Sequence, residues 1–235
     1  RRLEVAVTGR TAADRTLAEA LSALGCAVVR MPRPGVPSFC TSRGGFRLLA
    51  WDEEGEPLPA EAVLGIAALV ELEHDQGPLA VPPAAPAALD TLAARYGTAV
   101  LRLGRDGREA RERYAASPWL WDALFAACRI CAHMGCSGER LRGLAGKLPP
   151  FALRRREVPL HGDRGAVMQA LKRLLPNAES AGEGLRFRQG EGAAYLIPLT
   201  RRSALRVIGE AASAELAEEL CGFCAETVRE ADRVE

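Results

Sequence analysis

The residue types best suited to chemistry lie in one short stretch. Cys128-x-x-Cys131 is followed by His133 and Cys136, and thiolates with imidazole are a ligand set for Zn²⁺. The stretch reads as helix, however, whereas zinc knuckles place their first pair in a turn. Cys221-x-x-Cys224 also falls inside a helical pattern. Small apolar cysteines on buried helix faces account for both pairs. Redox use has less support, because no thioredoxin-like strand precedes either pair. His74 and His161 are isolated and read as surface or turn residues. Arg154-Arg155-Arg156 reads as a solvated strand edge, with an interdomain salt-bridge patch as the second reading. Gly104-x-x-Gly107 is too short for a dinucleotide fingerprint. No Ser-His-Asp set can be chosen by spacing. Trp51, Trp119 and Trp121 read as packing anchors, and the last two are also candidates to line a cleft.

These residues sit in a chain of 235 residues, 48% apolar and 26% charged, which is globular rather than disordered composition. The net charge of +1 argues against a dedicated nucleic-acid surface. Of the 31 basic residues all but Lys147 and Lys172 are arginine. With the abundant alanine, that skew reads as codon bias rather than a phosphate-binding role. No apolar run reaches the roughly 18 residues of a membrane span, and no signal peptide opens the chain. Seven cysteines without a secretory signal read as reduced thiols in a cytoplasmic protein. The chain enters a strand-like run directly after Arg1-Arg2, as expected of a fragment from a longer polypeptide.

The elements that must position these residues follow from pattern. Residues 3–8 and 26–31 read as strands flanking a helix capped by Thr11 and stopped by Gly25, a unit that builds parallel sheets. Residues 46–51 read as a strand, 52–55 as a turn, and 61–73 as a helix with Val63, Ile66, Ala67 and Val70 on one stripe. A strand at 79–81, a helix at 86–96 and a strand at 98–103 repeat the alternation. Long helices are expected at 118–134 and 139–148. Pro149-Pro150 marks a boundary. Beyond it come a strand at 151–158, a helix at 164–175, a glycine-punctuated meander at 185–188, 193–199 and 205–209, and a closing helix at 213–230.

This order of segments resembles the α-D-phosphohexomutase superfamily of phosphomannomutases and phosphoglucomutases. Within it the chain looks like the mutase-type module fused behind a sugar-1-phosphate nucleotidyltransferase. The resemblance rests on four stretches: 48–58 (LLAWDEEGEPL), 86–97 (PAALDTLAARYG), Asp122-Ala123-Leu124-Phe125, and Leu205-Arg206-Val207 through Glu210-Ala211. It implies three segments from the second to the fourth family domain: 1–76, 77–150 and 151–235. The implied fold is α/β, with two α/β/α domains carrying mixed sheets, then an α+β domain with an antiparallel sheet and flanking helices. The first family domain, which carries the phosphoserine, has no counterpart.

Each family loop can be placed on this sequence. The metal loop, Asp-Gly-Asp-x-Asp-Arg, keeps only its arginine, as Arg47; its acids fall on Ser42, Gly44 and Phe46. Mg²⁺ needs hard oxygen ligands, usually carboxylates, so no cofactor is expected. The sugar loop falls at 112–118, where Glu112 is a poor sugar-binding acid and the glycines are missing. The phosphate loop falls at 197–203. There Thr200, Arg201, Arg202 and Ser203 remain candidate anion ligands, because guanidinium groups grip phosphate bidentately; a solvated turn is the plain alternative. Phosphate binding is thus expected, if anywhere, at Arg47, Thr200, Arg201, Arg202 and Ser203, and no catalytic residue is assigned.

The resemblance implies a degenerate mutase-like module with a structural or regulatory role in a larger sugar-phosphate enzyme. Its expected partner is an upstream domain of the same polypeptide, such as a nucleotidyltransferase. Two other readings stay open: an active hexose phosphate mutase using an upstream phosphoserine domain, and a sugar-phosphate-binding sensor. Homo-oligomerisation is compatible with all three.

Overall fold

The computed structural model describes residues 2–75, 77–103 and 107–233; Gly104 of the short glycine pair lies outside them. The chain divides into two compact units, Arg1–Val81 with Leu89–Leu101 and Arg108–Pro149, and Pro82–Ala88 with Arg102–Gly107 and Pro150–Glu235. The first therefore holds residues 1–76 together with most of 77–150.

The first unit begins with β1 (Glu4–Val7), α1 (Ala12–Ala23) and β2 (Ala27–Val29). Thr11 caps α1 through a capping box with Asp14, which satisfies two of the amides left open at a helix start. Gly25 follows at φ 92°, a left-handed conformation that suits glycine. β3 (Ser38–Thr41) and β4 (Leu48–Trp51) complete a sheet ordered β2-β1-β3-β4. β1 runs parallel to β2 and β3, and β3 antiparallel to β4. Val5, Ala6 and Val7 are fully covered, as expected of a central parallel strand.

α2 (Ala60–His74) is buried around most of its circumference, with Gly65, Ala67, Ala68 and Leu69 as enclosed as Ile66 and Val70. It is therefore a core helix, not the one-sided helix its stripe suggested. β5 (Leu79–Val81) pairs with β6 (Val100–Arg102). The helices α3 (Ala88–Arg95), α4 (Gly107–Ala115), α5 (Ala123–Ser137) and α6 (Leu141–Gly146) follow.

Three elements of the first unit depart from the sequence expectation. β3 was not anticipated; three of its four residues are buried, so no alternation marks it. α4 runs through Ala115, into the stretch at 112–118 where the sugar loop was placed. The helix expected at 118–134 is interrupted: Pro118–Leu120 is a 3-10 turn, and Asp122 starts a new helix by accepting the Leu124 and Phe125 amides at 2.9 and 3.2 Å.

The second unit carries an antiparallel sheet from β7 (Ala152–Pro159), β8 (Glu179–Ala181), β9 (Gly184–Gln189), β10 (Gly192–Pro198) and β11 (Ala204–Ala211), ordered β7-β11-β10-β9-β8. The meander was expected; the short strand β8 was not. α7 (Arg164–Leu174) and α8 (Ala214–Arg233) pack with this sheet around Val158, Val167, Leu171, Leu196, Leu205 and Val207. Gly209 permits a close approach: a Cβ there would stand 2.7 Å from the Ala217 carbonyl oxygen and 2.8 Å from Cys221 Cβ. Alternate residues of β11 point to the opposite face. There buried Glu210 accepts the Ala87 and Ala88 amides at 2.5 and 2.8 Å. Arg102 donates to the carbonyls of Ala85 and Pro86 at 2.8 and 3.3 Å. The second unit thus holds both short segments drawn from the middle of the chain.

The architecture is mixed α/β followed by an antiparallel α+β unit. Among the described residues no helix is long and apolar enough to cross a membrane.

Candidate functional site

Four of the five expected phosphate ligands lie on the connection between β10 and β11. The turn closes through Leu199 N–H to the Ala204 carbonyl at 3.0 Å and Ala204 N–H to the Arg202 carbonyl at 2.9 Å. Ser203 is engaged by the chain itself: its carbonyl accepts Leu160 N–H at 2.8 Å and its hydroxyl donates to the Leu160 carbonyl at 3.1 Å. Arg202 binds Glu157 at 3.2 Å, and Arg206 binds the other oxygen of that carboxylate at 2.7 Å. The bond from Arg206, followed by the nearby charge of both arginines, holds the Glu157 carboxyl below its ordinary value. Arg164, in the first turn of α7, donates to the Arg202 carbonyl at 3.3 Å. Thr200 and Arg201 are exposed, and among the described residues neither side chain makes a hydrogen bond or ion pair.

Arg202 and Arg206 therefore share the Glu157 carboxylate, while Arg164 holds the backbone of the turn at Arg202. Guanidinium groups with a free hydroxyl suit a phosphate dianion. Arg202 is engaged by Glu157, whereas the Arg201 and Thr200 side chains are exposed and unengaged among the described residues.

The fifth expected ligand, Arg47, lies in the first unit on the β3–β4 hairpin. Ser42 N–H donates to the Arg47 carbonyl at 2.9 Å, Gly45 N–H to the Ser42 carbonyl at 2.8 Å, and Arg47 N–H to Ser42 Oγ at 3.1 Å. Arg47 itself is exposed. Residues 42–47 include no carboxylate. Asp14, near the hairpin base, is fully buried and committed. One oxygen accepts Thr41 N–H and Oγ at 2.7 and 3.0 Å; the other accepts Thr11 N–H and Oγ at 2.8 and 2.6 Å. Burial opposes ionisation of Asp14, but these four bonds outweigh it and its carboxyl lies below the ordinary value. A hydroxyl, backbone carbonyls, two arginines and a saturated aspartate do not fit the hard octahedral shell of Mg²⁺.

Glu112 is exposed on α4 and takes a bond from Arg108 one turn earlier at 2.7 Å. Trp119 is buried and Trp121 is 40% exposed, its indole N–H donating to the Tyr114 carbonyl at 3.3 Å.

All seven cysteines are free thiols. Cys131 is buried on α5 and interacts with Cys26; within this pair the Cys26 thiol is held below its ordinary value and that of Cys131 is pushed above it. Cys221 and Cys224 are buried in the core of the second unit, where burial pushes Cys224 up to about 12. His161 is exposed and accepts no core role; its ring meets Asp232 at 3.1 Å. His133 does not join the thiols. Its Nε2 meets Glu139 at 3.2 Å and Glu73 at 3.4 Å, a grouping the sequence reading missed because Glu73 lies sixty residues upstream.

Solved structures that superpose on this chain include members of the phosphohexomutase superfamily. A phosphoglucomutase/phosphomannomutase family protein from Burkholderia thailandensis superposes with a TM-score of 0.76 at 16% identity, over 98% of this chain and 61% of that one. This chain has the fold of phosphohexomutase domains. A putative phosphomannomutase from Thermus thermophilus matches with a TM-score of 0.67 at 14% identity, over 97% and 61% of the two chains. Aspergillus fumigatus N-acetylphosphoglucosamine mutase, solved with GlcNAc-6P and magnesium, matches at 0.61 and 12% identity, over 98% and 62%. The chain spans about three-fifths of the length of these neighbours. No family model and no curated protein matches the sequence.

Proposed function

We propose that this chain is a mutase-fold module that does not carry out phosphoryl exchange and serves a larger sugar-phosphate enzyme in a structural or regulatory role. One observation carries the reading. The hairpin at 42–47 offers no carboxylate, and the aspartate nearest its base is consumed by four internal hydrogen bonds. A phosphoryl transfer needs its developing charge neutralised, most often by a metal ion held on such carboxylates. In this reading the partner is an upstream domain of the same polypeptide, such as a nucleotidyltransferase, and the module needs no Mg²⁺.

The sensor reading has its own support. Among the described residues Thr200 and Arg201 are unengaged, at a sheet end that also carries Arg164, Arg202 and Arg206, which suits binding of a hexose phosphate without turnover.

Calorimetric titration with mannose 1-phosphate, with and without Mg²⁺, separates these readings. Flat heats in both conditions support the structural module. Saturable, Mg²⁺-independent binding that Arg201→Ala weakens supports the sensor. Hexose 1-/6-phosphate interconversion by the complete polypeptide, abolished by substitution at Arg47 or Arg201, would sink both.

A further inference from the structure

His133 lies in the first unit, 8% exposed, with Nε2 directed between two glutamates. Glu139 Oε2 is 3.2 Å away and Glu73 Oε2 3.4 Å. The three atoms lie within 4.8 Å of one another. Ligand atoms about 2.0–2.1 Å from a tetrahedral Zn²⁺ are themselves about 3.3 Å apart, so both nitrogen–oxygen separations match an edge of that tetrahedron. The remaining carboxylate oxygens are held by other groups. Lys147 Nζ is 2.6 Å from Glu139 Oε1 and 3.6 Å from Glu73 Oε1, and the Tyr96 hydroxyl donates to Glu73 Oε1 at 3.1 Å. Outer partners of this kind fix which oxygen each carboxylate presents.

From this geometry we propose that Glu73, His133 and Glu139 form a binding site for a zinc-class divalent ion. An imidazole nitrogen beside two carboxylates suits Zn²⁺ or Co²⁺, whereas Mg²⁺ and Ca²⁺ favour all-oxygen shells. With neutral His133, the two carboxylates match the charge of the ion. The site joins the last turn of α2, the last turns of α5 and the segment leading into α6, so a bound ion cross-links three parts of the first unit. Lys147 is the internal competitor: its ammonium now neutralises the same carboxylates, and it must swing outward when the ion enters. No cysteine joins this group among the described residues, so the site is distinct from the Cys128-x-x-Cys131 pattern.

The test uses the full 235-residue chain, reduced and stripped with a chelator, titrated with zinc chloride against a chromophoric competitor at pH 7.5. One saturable equivalent is expected, together with a raised melting temperature. Cobalt loaded into the same site is expected to show ligand-field bands without thiolate charge transfer. His133→Gln weakens binding tenfold or more. Exposed Glu73→Gln, which leaves the core intact, weakens it several-fold, and Lys147→Met tightens it several-fold. Absence of saturable binding overturns the proposal. So does a site with thiolate-to-cobalt bands, or one unaffected by both Glu73→Gln and His133→Gln.

Discussion

The carboxylate of Glu53 sits under the first turn of α6, 2.6 Å from the Leu141 amide and 3.1 Å from that of Arg142. The side chain is almost fully buried, and its negative charge meets the positive end of a helix dipole. Glu53 belongs to the Asp52–Gly55 turn after β4, so this contact ties two stretches 88 residues apart. Glu53→Ala leaves two amides without their acceptor, that of Leu141 buried and that of Arg142 part-buried. We expect a loss of about 1–3 kcal/mol in urea unfolding, with Glu53→Gln milder because it keeps one acceptor. Equal stability of all three proteins would show that α6 is held by other means.

Asp14 binds four donors through Thr11 and Thr41. Asp14→Asn should cost about 2–3 kcal/mol, from the lost cap and the charge-assisted bonds. Its folded carboxyl lies below the ordinary value. The stabilisation is therefore complete above the unfolded-state pKa and fades as pH falls through the folded one. Unfolding measured from about pH 6 down to pH 2 should show a shallower loss of stability in Asp14→Asn than in the parent.

Glu210 behaves with the opposite sign. Burial raises its carboxyl, although the Ala87 and Ala88 amides pull the other way. Its proton-linked stabilisation is full below the unfolded-state value and is lost as pH rises through the folded one. Stability of Glu210→Gln relative to the parent should therefore improve as pH is raised from about 4 to about 7. A constant difference across that range would contradict the burial argument.

At the arginine-rich sheet end, Glu157 occupies Arg202 and Arg206. Glu157→Gln should free both guanidinium groups and tighten any binding of mannose 1-phosphate by several-fold, read by titration at fixed ionic strength. Arg201→Ala should act in the reverse direction. Coordinated movement of the two variants would locate the anion at this turn, whereas binding blind to both would place it elsewhere.

Gly209→Ala tests the packing of α8 on its sheet. The added methyl meets the Ala217 carbonyl and Cys221 at under 3 Å, and backbone on both sides has little room to yield. A loss of about 1–3 kcal/mol is expected from overpacking, measured as a lower urea midpoint at constant slope.

Local signals were strong enough to place most elements from sequence. Thr11 and Gly25 bound α1 as expected, and Pro149-Pro150 falls at the change of unit. The glycine-rich meander appears as β9, β10 and β11. The failures are equally physical. β3 is covered on both faces and shows no alternation, and β8 is only three residues long. Asp122 reads as one more residue of a long helical run until its carboxylate is seen capping a new helix.

What the sequence determined by itself is chemical inventory in order: no carboxylate at 42–47, arginines at 201 and 202, cysteines at helical spacing, and an α/β pattern turning to α+β. Those follow from residue identity and short-range periodicity. Only the tertiary structure decided how that inventory is used. It spent Asp14 on Thr11 and Thr41, tied Arg202 to Glu157, and brought Glu73 beside His133 and Glu139. The reason is range. Caps and turns are set by neighbours within a few residues, whereas a hydrogen bond between distant residues exists only after the helices and strands have packed.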